Sequence, residues 1–428
     1  MSRRIALSLI MILVPFLLRA QSATRSSQDE LVTTLLARIE KLEKRVAELE
    51  QSKAEASGTP VQQSMVEKQA NVVSVEEAAH EQHAAIHGTD EVGPERFPSM
   101  KLRGFGDLVF AATDQPGSKS GFSQGQFILH IASPLSKRIA YFGEVSFTAQ
   151  PSGYNLDLER ALIRFDYNDA LKLSFGRYHT PINYWNTAFH HGLWLQTTIS
   201  RPEMIRFGGR FQPVHFLGLQ SEGNIPSGWM GLGYNVGVGN GRAALIARPG
   251  DPGDVNNNRA WLVNLFSRPT GLHGLQFGGS LYRDLVSPSP ALPGNPQFGE
   301  WIATAHLVWT RETPEFLAEF ANVRHRNQLT QATYTSQGGY VQLAYRLPWH
   351  EKKWKPYYRF DFINTPIGEP LFSTGDPNTV VKDFRGSTAG LRYDISDFVA
   401  LKGEYRNGKK GPGDPRIEGV FMQTSFTF

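Results

Sequence analysis

Between positions 177 and 210 the chain reads RYHTPINYWNTAFHHGLWLQTTISRPEMIRFGGR. Four guanidiniums (Arg177, Arg201, Arg206 and Arg210) and three imidazoles (His179, His190 and His191) fall in this one stretch. A guanidinium stays charged at physiological pH and offers forked donors to an oxyanion. An unperturbed imidazole adds positive charge below about pH 6.5. In a narrow, partly dehydrated passage such charges are screened less than at a surface, so a few of them set ion preference. The same stretch carries Tyr184, Trp185, Phe189, Trp194 and Leu195, which a loop bathed in water does not need. It is therefore expected to fold inward, bury its aromatics on a wall and constrict a channel. The alternative is a loop that caps a rim or packs on a neighbouring subunit.

Other chemistry-bearing patterns are weaker. Gly121–Gly125 matches G-x-S-x-G around Ser123, but it lacks the strand-to-helix elbow of a hydrolase. His190 or His191 with a nearby serine on a lipid-facing wall is the one enzymatic alternative, an outer-membrane hydrolase. Asp251, Asp254, Asn256 and Asn258 offer oxygen ligands without the glycine and glutamate of a calcium loop. His80, His83 and His87 share one helical face but lack a fourth ligand or packed shell, so solvated histidines are the expectation. The absence of cysteine excludes disulfides, thiolate nucleophiles and zinc–sulfur sites. A net charge of +4 on 428 residues gives no reason to expect nucleic acid as a partner. No nucleotide motif is present, and neither a cofactor nor enzymatic activity is expected.

The elements that would position these residues are strands. From about residue 98 to 428, short segments alternate apolar and polar with period two. About sixteen are countable, the sixth near 206–222, and even numbers are the rule for bacterial outer-membrane barrels. Tight turns (SPLSKR, YNDA, RPTGLHG, RETPE, DISDF) alternate with longer polar loops such as SPSPALPGNPQFG, the pattern of short turns at one end and long loops at the other. Within strands, Tyr141, Val145 and Phe147 oppose Glu144; Tyr358 and Phe360 oppose Arg359 and Asp361; Leu401 and Tyr405 oppose Lys402, Glu404 and Arg406. A face carrying full charges is no ordinary core. It suits the water-filled lumen of an antiparallel transmembrane barrel. The last strand, EGVFMQTSFTF, places Val420, Met422, Phe426 and Phe428 on the apolar side. Phe428 is expected to close the barrel and to serve as its assembly signal.

Upstream, residues 1–23 have Arg3 and Arg4, an apolar run and small residues, the pattern of a secretory signal peptide. Within residues 28–56, Val32, Leu35, Ile39, Leu42, Val46 and Leu49 follow 3-4 spacing, the seam of an α-helical coiled coil. Arg38 and Arg45 precede Glu43 and Glu50 at g and e positions that pair across parallel chains. Residues 57–97 are polar and unpatterned, as in a flexible linker.

The segment LERALIRFDYNDALKLSFGRYHTP, the terminal SFTF and the sixteen-strand texture resemble the phosphate-selective porin O and P family. The likeness spans roughly residues 100–428 as architecture. On the family's pattern, Glu159 lies on a strand before a tight turn at Asn168-Asp169. The next strand ends in Gly176, Arg177 and Tyr178, and Pro181 opens the constriction loop. The resemblance implies a homotrimer and passive diffusion of small anions through a basic constriction. As a barrel of this class the chain is expected to meet outer-membrane lipid and lipopolysaccharide and, through its terminal Phe428, the barrel-assembly machinery, while the even strand count places the coil in the periplasm, where it is able to touch peptidoglycan. The expectation is an outer-membrane porin with weak anion preference that strengthens on acidification. The rival from another class is a cell-wall tether anchored by its barrel.

Overall fold

A computed structural model of the protein describes Lys44 and residues 97–428, apart from residue 209 and residues 243–245, 247–249, 288–291 and 374–379. The signal peptide, the coiled-coil seam and the linker histidines lie outside the described residues.

Alternation of side chains across each strand makes one face apolar and one polar. A sheet built that way satisfies both faces and leaves no open edge by closing on itself. The observed sheet is a closed barrel in which every neighbour is antiparallel and β1 pairs with β16. Its strands run β1 Lys101–Thr113, β2 Gly121–Pro134, β3 Ile139–Gln150, β4 Gly153–Asn168, β5 Leu171–His179, β6 His215–Ile225, β7 Leu232–Asn240 and β8 Ala260–Ser267. They continue with β9 Leu275–Val286, β10 Phe298–Trp309, β11 Glu315–Asn327, β12 Thr333–Ala344, β13 Trp354–Asn364, β14 Phe384–Ser396, β15 Val399–Lys410 and β16 Arg416–Thr427. Two short helices, α1 Tyr184–Ala188 and α2 Pro370–Ser373, lie in loops.

The outer face is apolar: Leu108, Ile163, Phe175, Val238, Leu343, Tyr358 and Met422 are all exposed. A contiguous band of this kind is far more apolar surface than a water-soluble monomer tolerates, and it matches a lipid belt. Aromatics collect at both ends of the wall: Tyr167, Trp229, Trp349 and Phe398 at the tight-turn end, Phe122 and Tyr154 at the loop end.

Closure occurs at the last strand as its alternation predicts. Gln423, Ser425 and Thr427 are buried inside, while Val420, Met422 and Phe428 face outward. Phe428 and Gly104 exchange both backbone hydrogen bonds, 2.8 and 3.0 Å. The Phe428 ring lies over Gly104, where any Cβ would overlap it, and stacks on Phe127 at 5.8 Å. Gly104 is thus required by close approach.

Two details depart from the sequence reading. The sixth strand begins at His215, not near 206, because residues 210–214 stay with the infolded loop, Phe211 and Val214 being buried. The long-loop rule also has exceptions: β3 and β4 are joined at the loop end by only Pro151 and Ser152, while the turn-end connection from Tyr345 to Lys353 is long.

Candidate functional site

Residues 180–208 enter the barrel and cross to the opposite wall. The crossing is held by inward-pointing strand charges that bind loop backbone. At the near end, Glu319 on β11 accepts the Tyr184 and Trp185 N–H groups, both at 2.8 Å, and the Tyr340 hydroxyl at 2.6 Å. This carboxylate caps the first turn of α1, where unpaired N–H groups favour an anion. Trp185 is fully buried, edge-on to Tyr340. Farther along, Glu404 accepts the Ile199 N–H at 2.8 Å and Asp361 that of Glu203 at 3.1 Å.

Cations take the carbonyls. Arg392 donates to Trp194 and Gln196, at 2.8 and 3.0 Å. Lys402 donates to Leu193, Gln196 and Thr198. Arg359 donates to Ser200 O at 2.7 Å, Arg201 O at 2.9 Å, Ser200 Oγ at 2.8 Å and Thr198 Oγ1 at 3.1 Å, with Asp361 at 2.8 Å behind it. So Arg359, Asp361, Lys402 and Glu404 point inward, as their strand parity requires, but loop backbone covers them rather than open water. Buried charges persist when every donor and acceptor is matched, and a loop with many free amides supplies the matches. Arg406 remains partly exposed beside Glu404 and over the Phe421 ring at 3.7 Å.

The root of the loop is a second constellation. Opposite β3, Glu144 pairs with Arg160 and Val145 with Leu158, leaving Glu159 as the extra residue of a β-bulge. The bulge turns both Glu159 and Arg160 inward. Its loosened carbonyls, Leu158 O and Glu159 O, are bonded by Arg177, which also holds Asp251 at 3.0 Å. Gly176 beside it has φ of 140°, and a Cβ there would overlap the Ala161 carbonyl. Against this bulge gather His179, His190, His191 and His215. Ring centroids are 3.9 Å apart for His179–His190, 4.4 Å for His190–His191 and 4.7 Å for His190–His215. His191 Nδ1 lies 3.0 Å from Glu144, and His215 Nε2 lies 2.9 Å from Glu159. His215 escaped the sequence reading, which placed it inside a strand, and Glu159 entered only through the family pattern.

The arginines of the stretch do not form one ring. Arg201 is half-buried over the Phe207 ring at 3.9 Å and donates to the His190 carbonyl at 2.6 Å. Burial lowers its pKa to about 9. Arg206 pairs with Glu203 at 3.1 Å and, with Arg210, Lys382 and Lys410, borders a small hollow on the far side of the loop. Arg177 serves the bulge. Burial, then the neighbouring His179 and His191 rings and Arg201, hold His190 well below the ordinary imidazole value. That shift opposes the gain of charge expected of an unperturbed imidazole at this position. Asn186 Oδ1 is the 2.8 Å partner of His190 Nδ1 and Glu144 the 3.0 Å partner of His191 Nδ1, and the Arg201 guanidinium approaches His190 Nδ1 only to 3.4 Å. No serine is among them, and both rings face the barrel interior.

Below the loop, toward the tight turns, lies a cavity of about 680 Å³. Arg160, Arg164, Lys172 and Arg268 line it against two acids, Asp169 and Glu222, with His179 and His306. The bulge hides two of these basic residues, Arg160 and Arg164, from a count by alternation. It shifts the parity of β4, so period two counted from Leu156 or Leu158 puts Arg160 and Arg164 on the wrong face.

No family model matches the chain, and no curated protein matches it in sequence. Among solved structures the fold is similar to an anion-selective porin from Comamonas acidovorans, at 11% identity and a TM-score of 0.55, over 77% of this chain and 100% of that one. It is also similar to the outer membrane channel DcaP of Acinetobacter baumannii, at 12% identity and 0.54, over 79% and 99%. The trimer form of OmpT, an outer membrane protein of Vibrio cholerae, aligns at 11% and 0.53, over 78% and 100%. At these identities the likeness is one of fold.

Proposed function

We propose that the protein is an outer-membrane porin, a passive channel for small hydrophilic solutes with weak preference for anions. The observation that carries this reading is the closed, lipid-faced barrel whose infolded loop lies over a cavity lined by Arg160, Arg164, Lys172 and Arg268 with Asp169 and Glu222, Arg160 and Arg164 being further paired with Glu144 and Asp166. Charges on a low-dielectric wall act strongly on a passing ion. The lipid-facing band and the loop crossing the lumen support the channel reading, and the porins that share the fold support its class. Phosphate-like oxyanions are the preferred solutes on this reading, because guanidiniums on the cavity wall offer forked donors. A homotrimer in lipid and lipopolysaccharide, inserted by the barrel-assembly machinery and touching peptidoglycan through the coil of residues 28–56, completes the proposal.

Planar-bilayer recording in a salt gradient tests it. Discrete open levels with a reversal potential on the anion side are expected. Arg164→Glu together with Arg268→Glu should move that potential toward cations. Cation selectivity unchanged by the pair would overturn the anion reading. No stable open level would overturn the channel and favour the tether.

A further inference from the structure

The histidines at the root of the loop present lone pairs to one another. Asn186 Nδ2 donates to the Thr180 and Val214 carbonyls, at 3.0 and 2.9 Å. Its amide orientation is thereby fixed, and Oδ1 must accept from His190 Nδ1 at 2.8 Å. The proton of His190 therefore sits on Nδ1, and Nε2 carries a lone pair. The same logic holds for His191, whose Nδ1 lies 3.0 Å from the Glu144 carboxylate. The Nε2 atoms of both rings are buried without a hydrogen-bond partner, and so are both nitrogens of His179. Their nearest carboxylate contacts, His191 to Glu159 at 3.5 Å and His179 to Glu144 at 3.6 Å, are at or beyond hydrogen-bonding length.

His179, His190 and His191 each offer a ring nitrogen, all within 4.8 Å of one another. Glu159, His190 and His215 form an overlapping trio with the same property. Imidazole ligands whose other nitrogen donates to a carboxylate or amide oxygen are the usual dress of a transition-metal site. Tetrahedral bonds of about 2.0–2.1 Å bring ligand nitrogens to roughly 3.4 Å of one another, so closure requires side-chain shifts of about an ångström. Of the nearby guanidiniums, Arg160 is paired with Glu144 and Arg177 with Asp251, while Arg201, 3.4 Å from His190 Nδ1, donates to the His190 and Ile205 carbonyls and feels the Glu159 carboxylate. His179 borders the cavity, which gives an ion a way in.

We propose that His179, His190 and His191, completed by Glu159 or His215, bind one divalent d-block cation of the zinc class. Imidazole-rich sites select such cations over calcium and magnesium. The ion would tie the loop to the ends of β5 and β6 and to the β4 bulge, clasping the constriction at its base. Unlike the porin reading, this concerns the clasp alone and stands whether or not the channel conducts.

The test uses the full-length, tag-free barrel in detergent, stripped with a chelator and titrated with cobalt(II). One ion per chain with the intense visible bands of tetrahedral cobalt, displaced by zinc, is the expected result. His179→Gln and His190→Gln should each weaken binding at least ~10-fold, and Asn186→Ala by ~10-fold or more through loss of ring orientation. The triple variant His80→Gln, His83→Gln and His87→Gln should bind as wild type. No binding at one equivalent, an octahedral oxygen-only spectrum, or undiminished binding in a folded His179→Gln/His190→Gln barrel would overturn the site. If the histidine variants do not fold, X-ray absorption of the zinc-loaded wild type decides: three or more imidazoles support it, and fewer overturn it.

Discussion

Replacing Arg359 by alanine should free the infolded loop while leaving the wall intact. The guanidinium makes four hydrogen bonds to residues 198–201, between 2.7 and 3.1 Å. At ~1.5–3 kcal/mol for a bond to a charged group, their plain sum overstates the effect, because released carbonyls regain water. A better guide is the removal of one partner from a buried ion pair, about 3–5 kcal/mol, since Asp361 would lose its cation. Taking about 4 kcal/mol, and 1.4 kcal/mol per factor of ten, the undocked fraction rises ~10³-fold. The chain has no cysteine, so Ile199→Cys supplies a single thiol. Ile199 is 6% exposed when docked, so its labelling rate reports the undocked population. The rate should rise ~10³-fold on adding Arg359→Ala. Heat-modifiability should persist, because β13 keeps its backbone pairing with β12 and β14. Equal labelling in a folded double variant would refute the view that strand charges hold the loop.

Three further outcomes follow. Phe428→Ala and Gly104→Val attack one contact from its two sides. Both should lower the yield of heat-modifiable barrel, and normal yield from Gly104→Val would show that the Phe428 ring does not seat there. Glu312, in the turn before β11, accepts from Arg346 at 2.9 and 3.0 Å and from Lys355 at 2.8 Å. Burial pushes its carboxyl up, but Lys355 and Arg346 outweigh that and hold it well below the usual range. A depressed folded pKa contributes stability above the unfolded value that is lost as pH falls through the folded one. Glu312→Gln should therefore cost about 3 kcal/mol at neutral pH, and its urea-unfolding midpoint should merge with wild type only in strong acid. Deleting residues 28–56 should lower trimer stability on native gels yet leave unit conductance intact, and a collapse of conductance would put the coil in the pore.

Much of the wall was legible in the chain because strand alternation is a local property. Tyr358, Phe360, Leu401 and Met422 show outward, and Arg359, Asp361, Lys402 and Glu404 inward, by parity alone. The aromatics of residues 184–195 likewise announced a loop that leaves water, since their burial needs no knowledge of the partner. What the inward charges do was not legible. Arg359 meets Ser200, and Glu404 meets Ile199, across separations of 159 and 205 residues, and only ring closure sets which strand faces which part of the loop. The histidine clasp shows the same limit more sharply. His215 joins His179 because β5 and β6 pair in register at those residues. Glu159 joins them because one extra residue in β4 breaks the alternation on which a sequence reading depends. Periodicity tells which way a side chain points. Register and a single bulge decide what it meets.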